Sequence, residues 1–555
     1  MGKRVAVIGA GPAGLATVKE LLDEGHEPAC FERASSLGGV FRFGETDGVA
    51  WESCRLTSSP LLTSFSDFPE PADRLMHLPA REYVDYLTRY ANAFGVLPRI
   101  RFDTTVEAVE RDAGGWKVRT RDAAGVREAR YDAVAVCSGL HQHPSTPEFP
   151  GQQSFTGAIM HSAQYRRPAQ VAGKRVLIVG AGESGADVAA EVAANAAETV
   201  LSLRRGVAVQ ARTQFGKPRD LQTSRLMNST AHWIFQTRHP ADDYKRRVYR
   251  WTFVPFLFVD KALQKFYVFV YEYLPLYRAP NLAGVLANLR TRKLTLRLIR
   301  ESGGSFNEQF GTKDDDFVRA MATGHCRRVP GVERFDGPRV VFTDGSTFTP
   351  DLVIFCTGFD TRMPFLDPAI AAPPRFMHAF NPDVGPSLGF IGFLRPAFGA
   401  IPPLAELQAR WFALVQSGRA SLPSRAEMQR SIDHWREYRA HVFRAVKGRL
   451  DHLVEHTPFC DALAEQVGCK PTWRDIRRES RVFQRKFVEG PFVAAQYRLV
   501  GPHAKPEIAR AVIENVPVAH QLPDKLNLYL RWKLSRLIHR LRGPEFAPKL
   551  ELKEQ

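Results

Sequence analysis

The sequence predicts an α/β protein with two Rossmann-like dinucleotide-binding domains and a helical C-terminal extension. Three observations carry this expectation. A strand, glycine turn, helix and strand occur twice, about 170 residues apart. Two later strands each end in a cysteine, a small residue and a glycine. After about residue 425 the chain turns to charged sequence with helical spacing.

The first unit opens on the β-branched run Arg4–Ile8. The turn Gly9, Ala10, Gly11, Pro12, Ala13, Gly14 follows, and then a helix with Leu15, Val18, Leu21 and Leu22 on one side. Gly25 closes that helix and 27–31 is the next strand. In such a turn the middle glycine lets a pyrophosphate approach the backbone, and the helix N-terminus attracts its charge. Glu32 lies 18 residues beyond Gly14. An acid there accepts a ribose hydroxyl and repels a 2′-phosphate, so this unit suits FAD or NAD rather than NADP.

The second unit runs from the strand 175–179 through Gly180, Gly182, Glu183, Ser184 and Gly185 into an alanine-rich helix. Its second strand, 199–203, contains Ser202 and leads into Arg204 and Arg205. Two guanidinium groups and a hydroxyl suit a 2′-phosphate, so this unit is expected to take NADPH.

The strand 133–136 ends in Cys137, Ser138 and Gly139, and 352–355 ends in Cys356, Thr357 and Gly358. Such ends suggest close backbone approach to a ligand. The expected layout is a discontinuous FAD domain (1–155 and 331–425), an NADPH domain inserted at 156–330, and a helical extension at 426–555.

Composition bounds the function. The 555 residues are 44% hydrophobic and 24% charged, as in ordinary globular proteins. The formal net charge of +17 favours anionic partners. No zinc finger, RNP motif or basic repeat supports nucleic-acid binding, and no metal site is expected. The seven cysteines include no C-x-x-C pair, which argues against a dithiol redox centre. Strand-like sequence begins at Lys3, so no signal peptide is expected, and no run of 18 uncharged apolar residues suggests a spanning helix.

Between the glycine turns lie Phe155, Gly157, His161 and Tyr165. Their spacing resembles the F-x-G-x-x-x-H-x-x-x-(Y/F) fingerprint of the flavin-containing monooxygenases. The blocks from Gly38 to Phe43, Ser66 to Pro69 and Glu406 to Trp411 are similar to further segments of that family. Those from Gly468 to Pro471 and from Tyr497 to Pro502 resemble its animal-type members with an extended C-terminus. Phe41 stands where those members have Trp, and Thr57 where they have Asn.

The resemblance implies FAD and NADPH as cofactors. It places Arg33, Gly39, Val40, Phe41, Val106 and Gln408 against them, beside the turn residues. Thr57 and Ser58 are the expected hydrogen-bonding residues at the reacting end of the flavin, and His161 is expected to orient backbone. The implied activity is of the dimethylaniline-monooxygenase type: O₂ adds to NADPH-reduced flavin, and the hydroperoxyflavin oxygenates a nitrogen or sulfur nucleophile. Ketone insertion of the Baeyer–Villiger kind and uncoupled NADPH oxidation to H₂O₂ are the alternatives.

The segment Lys525–Arg542 carries six Lys/Arg and no acid among regularly spaced leucines. It reads either as an interfacial amphipathic helix or as a helix docked on the protein with a solvated basic face. The aromatic stretch Trp251–Tyr277 reads as core or channel wall. The expected location is intracellular, cytoplasmic or peripherally membrane-bound, and homo-oligomer formation stays open.

Overall fold

The computed structural model describes residues 2–44, 48–214, 216–226, 281–303, 311–372, 374–443, 446 and 450–518. The stretch 251–277 and the basic segment 525–542 lie outside the described residues. Among the described residues no helix is long and apolar enough to cross a membrane.

Two five-stranded parallel sheets organise the chain. The first has the order Leu388–Phe390, Ala133–Val136, Arg4–Ile8, Glu27–Phe31, Ile100–Arg101. The second has the order Arg327–Val329, Glu198–Ser202, Arg175–Val179, Leu352–Phe355, Ala158–His161. Central strands such as Ala133–Val136 and Leu352–Phe355 are buried at every residue. Unbroken apolar runs are what a sheet covered on both faces requires.

Each sheet carries the same attachment. A three-stranded antiparallel meander precedes the strand that pairs beside the opening strand. In the first sheet the meander is Thr105–Asp112, Gly115–Asp122 and Gly125–Tyr131. In the second it is Val332–Asp336, Arg339–Phe342 and Thr347–Phe348.

This corrects the expected boundary at 330. The strand 352–355 pairs with Arg175–Val179 and Ala158–His161, not with the first sheet. Val340 and Phe342 pack with Leu177, Val200 and Val353. A meander buries its apolar face only on the sheet it feeds, so residues 331–356 belong with the second sheet. The return to the first sheet is Leu388–Phe390, beside Val134.

The C-terminal part is helical as expected, and it is built into the first core. Val454, Phe459, Leu463 and Tyr497 share one core with Leu15, Val18 and Trp411. The helix Ile401–Gln416 lies between the first glycine-turn helix Pro12–Asp23 and the helix His456–Val467. It carries Glu406, Gln408 and Arg410 inward.

Those inward charges form one network. Arg498 Nη2 contacts Glu20, Glu406 (3.0 Å) and Asp67 (3.3 Å), and its Nε donates to Ser66 Oγ at 2.7 Å. Lys19 reaches Asp67 at 2.6 Å and Glu20 at 3.0 Å, and Lys505 reaches Asp67 at 3.0 Å. Burial pushes the Glu20 and Asp67 carboxyls up, but Arg498 and Lys19 pull them further down, so both end below their ordinary values. At Glu406 burial wins over Arg498, and its carboxyl is held above the ordinary value.

Breaking a buried ion pair from one side leaves an uncompensated charge. Arg498→Met is therefore expected to cost about 3–5 kcal/mol in denaturant unfolding, while Glu406→Gln, which keeps a neutral side chain at a site biased towards one, costs less. The depressed Glu20 and Asp67 values stabilise the fold above their unfolded values of 4.5 and 3.8. That stability is lost as pH falls through the lower folded values. Wild type is thus expected to lose stability in acid, and Asp67→Asn to show a flatter acid limb in denaturation monitored against pH.

Candidate cofactor-binding and active site

The two glycine turns have the same local geometry. Gly9 has φ +103°, and a Cβ there would lie 2.9 Å from the Cys137 carbonyl oxygen. Gly180 has φ +98°, and a Cβ there would lie 2.9 Å from the Cys356 carbonyl oxygen. A Cβ at Gly14 or Gly185 would strike the Gly9 or Gly180 carbonyl oxygen, at 1.8 and 2.4 Å. The helices Pro12–Asp23 and Glu183–Asn195 therefore sit tight against their strands and offer their N-termini to an anion.

The first turn is open where a pyrophosphate would lie. Gly11, Pro12 and Ala13 are partly exposed, Gly39 packs against Gly11, and Gly392 faces Ala13. Gly39, Val40 and Phe41 form a single 3₁₀ turn, with Phe41 edge-on to Tyr83 at 4.8 Å. Glu32 accepts the Ala10 N–H at 2.7 Å and the Ala34 N–H at 3.0 Å. Each carboxylate oxygen keeps a second lone pair for a ribose hydroxyl. The Thr104 N–H donates to the Glu32 carbonyl at 2.9 Å, which brings the partly buried Val106 to the same end, and Arg33 is exposed.

The second turn differs from expectation at one residue. Ser202 is buried and donates its hydroxyl to the Pro330 carbonyl at 2.7 Å, so it has no proton for a 2′-phosphate. Arg204 and Arg205 are exposed and have no hydrogen-bond or ion-pair partner among the described residues. Glu183 accepts the Lys313 N–H at 3.0 Å, Gly182 is exposed and Ser184 is half-buried.

At the strand ends, the Ser138 carbonyl accepts from Gln142, and Gly139 has φ +80°. The Gly358 carbonyl accepts from Ser145 N–H at 2.9 Å and His161 Nε2 at 3.0 Å. His161 Nδ1 accepts the Ala163 N–H at 3.1 Å, so its proton is on Nε2. Burial lowers its pKa further than the Gly358 bond raises it, and it orients backbone as a neutral ring. Gln408 is corrected. It is fully buried, donating to the Met377 carbonyl and accepting the Gly392 N–H, both at 2.9 Å, and so acts on a cofactor only through Gly392.

Thr57 and Ser58 have different environments. Ser58 is buried and paired with Thr63 Oγ1 at 2.7 Å, which corrects its expected role. Thr57 is half-buried, and its hydroxyl has no partner among the described residues. Two residues beyond Thr57, the Ser59 N–H donates to Asp220 Oδ2 at 2.6 Å. Asp220 Oδ1, Ser59 Oγ and His77 Nδ1 are buried without a hydrogen bond. His77 Nε2 donates to the Arg212 carbonyl at 3.1 Å. Burial raises Asp220 more than the Ser59 bond lowers it, and burial lowers His77. Sequence reading missed Asp220 and His77, since neither lies in a motif.

A family model described as flavin-binding monooxygenase-like matches residues 2–252 and 279–519. Among curated relatives, a 4-hydroxybenzoate brominase (decarboxylating) of Pseudoalteromonas luteoviolacea is 33% identical over 558 residues, with 98% of each chain covered. Human flavin-containing monooxygenase 2 is 32% identical over 521 residues, covering 90% of this chain and 89% of the relative. Among solved structures, S-allyl-L-cysteine S-oxygenase from Allium sativum aligns with TM-score 0.57 and 24% identity, covering 97% of this chain and 99% of that one. Open cyclohexanone monooxygenase aligns with TM-score 0.57 and 16% identity, covering 84% and 97%.

Arg204 and Arg205 generate a direct expectation. Replacing either by alanine raises the KM for NADPH roughly tenfold, as for one lost charge-assisted hydrogen bond, and leaves the KM for NADH unchanged. Steady-state kinetics with both nucleotides check this.

Proposed function

The chain belongs to the flavin-binding monooxygenase-like family, and from that premise we propose that it oxygenates a soft nitrogen or sulfur nucleophile, with Thr57 as the hydrogen-bonding residue at the reacting end of the flavin. It is an NADPH-dependent flavin monooxygenase, and its cofactors are FAD and NADPH. When bound and reduced, FAD would supply the electrons that activate O₂, one atom of which goes to the substrate and the other to water.

The chain's own residues bind, orient and exclude water. In this reading the turn Gly9–Gly14, with Gly39 and Gly392 against it, holds the FAD pyrophosphate, and Glu32 takes the ribose. Gly180–Gly185 holds the NADPH pyrophosphate, and Arg204 and Arg205 take its 2′-phosphate. Ser138, Gly139 and Gly358 end strands beside the two turns and keep the backbone close to the cofactors. Arg166 donates to the carbonyls of Gly44 (2.8 Å) and Gly48 (2.5 Å), fixing the first domain's loop to the second domain's entry.

One observation carries the reading. The half-exposed Thr57 hydroxyl lies two residues from a backbone N–H that is bonded across the domains to Asp220. A threonine there offers one donor and holds no charge, which suits a polar oxygen in a largely apolar setting. Tyr165 is fully buried in the second domain's core, so it shapes the fold and does not touch substrate.

A second reading has a halide as the nucleophile. The brominase relatives favour it, because they align with this chain from end to end. Its balance is NADPH + H⁺ + O₂ + Br⁻ giving NADP⁺ + OBr⁻ + H₂O.

The deciding experiment follows NADPH-dependent product formation with a thioether, a tertiary amine, or a phenol plus bromide. Sulfoxide or N-oxide formed in step with NADPH supports the first reading. Bromophenol formed in their place supports the second, and H₂O₂ alone in every arm overturns both. Thr57→Val is expected to keep NADPH oxidation but to lower the product-to-H₂O₂ ratio about tenfold, the worth of one hydrogen bond.

A further inference from the structure

The geometry points to a binding site for a small monovalent anion of the halide type, formed by Arg375, His378, Arg439 and His452 beneath the aromatic rings of Phe390, Phe393 and Phe459. The site uses none of the glycine-turn residues and not Thr57, and the proposal is the same whichever nucleophile the enzyme oxygenates.

Among the described residues, other buried guanidinium groups are matched, Arg410 and Arg166 by several backbone carbonyls and the rest named here by carboxylates. Arg498 meets three carboxylates. Arg225 grips Asp461 through both Nη atoms, at 3.0 and 3.1 Å. Arg212 meets Asp187 at 2.5 Å.

Arg375 and Arg439 break this pattern. Neither has a carboxylate within ion-pair distance among the described residues. Arg375 stacks on Phe390, its guanidinium carbon 3.7 Å from the ring centroid, and lies 5.5 Å from the Phe393 centroid. Its Nη2 donates to the Ala371 carbonyl, but its buried Nε donates to nothing. Arg439, on the helix Arg425–Val442, is buried, and its hydrogen bond is from Nη1 to His378 Nε2 at 3.4 Å.

The histidines supply further donors. His378 accepts at Nε2, so its neutral ring carries the proton on Nδ1. His452 Nδ1 donates to the Phe393 carbonyl at 3.3 Å. The cluster is therefore rich in donors and positive charge, with Asp451 as the acid that bears on Arg439. Burial lowers Arg375 to about 10, and burial with the nearby cations lowers His378 further.

Buried charge is ordinarily paired, and an anion completes this set. The walls choose its type. Phe390, Phe393 and Phe459, the last 5.5 Å from His378, make a setting too apolar for a strongly hydrated divalent ion. A large, weakly hydrated monovalent ion loses less on entering it. Bromide is thus expected to bind more tightly than chloride, and sulfate not at all.

The test is thermal unfolding of the FAD-loaded enzyme, titrated with sodium bromide, chloride or sulfate against sodium gluconate at constant ionic strength. Wild type is expected to show a saturable rise in Tm with bromide, a weaker one with chloride and none with sulfate. Arg439→Gln and Arg375→Gln should each weaken the bromide response at least tenfold and, in gluconate alone, melt no lower than wild type. A response that is linear, alike for all salts, or retained in Arg439→Gln overturns the proposal. Arg439→Gln alone decides the matter if Arg375→Gln does not fold. Turnover plays no part in the readout, so failure here is distinct from failure of the oxygenation reading.

Discussion

The interaction on which the rest of the structure depends is the buried contact of Arg498 with Glu20, Asp67 and Glu406. It joins four segments that are remote in sequence. Glu20 lies on the helix that follows the first glycine turn, so its position sets where that helix's N-terminus points. Asp67 lies ten residues beyond Thr57, and Glu406 on the central buried helix. Arg498 and Lys505 come from the C-terminal part. Held together, the carboxylates tolerate burial. Separated, each would be a buried charge without a counterion. The same carboxylates could suggest a metal site, but Lys19 and Arg498 already sit among them. The C-terminal segment is therefore not an appendage. It closes the core on which the nucleotide turn rests.

That closure explains why one part of the fold was hard to read. Hydropathy treats a charged helix as a solvated one. Lys19, Glu20, Glu406 and Arg498 invert the rule, because their charges face each other across the core. The conspicuous turns were legible because their physics is local. Gly9 and Gly180 hold positive φ and lie against Cys137 and Cys356, and the glycines themselves announce this. The strand Leu352–Phe355 was misplaced because an apolar run does not say which sheet it joins. The signal that could have placed it was present. The run Cys356, Thr357, Gly358 stands to the second turn as Cys137, Ser138, Gly139 stands to the first, so the second domain repeats the first, meander included.

The site divides along the same line. Glu32, Arg204 and Arg205 keep spare valence at their strand ends, as a carboxylate or guanidinium there suggests. Ser58, Ser202 and Gln408 have suitable chemistry for ligand binding, but their hydrogen bonds go to Thr63, Pro330, Met377 and Gly392. Residue type reveals valence, not which neighbour uses it. Asp220 and His77 show the converse. They lie outside any motif: the approach of two domains brings Asp220 to the Thr57 loop, and the Leu56–Leu78 backbone bond brings His77 there.

The same approach of the domains governs how the Thr57 loop is held. An asparagine at position 57 would offer two donors and an acceptor, enough to bond both a ligand and its own loop. Threonine offers one hydroxyl and cannot do both. The loop is instead anchored just beyond it, by Ser58 on Thr63 and by the Ser59 N–H on the Asp220 carboxylate at 2.6 Å. Asp220 belongs to the second domain's chain, and its segment is pinned in turn. Phe492 N–H bonds the Thr223 carbonyl at 2.7 Å, and Arg225 grips Asp461. The Thr57 hydroxyl that we propose for the reacting end is thus positioned by the nucleotide-binding domain and the C-terminal core together, with its own bond left free for that role.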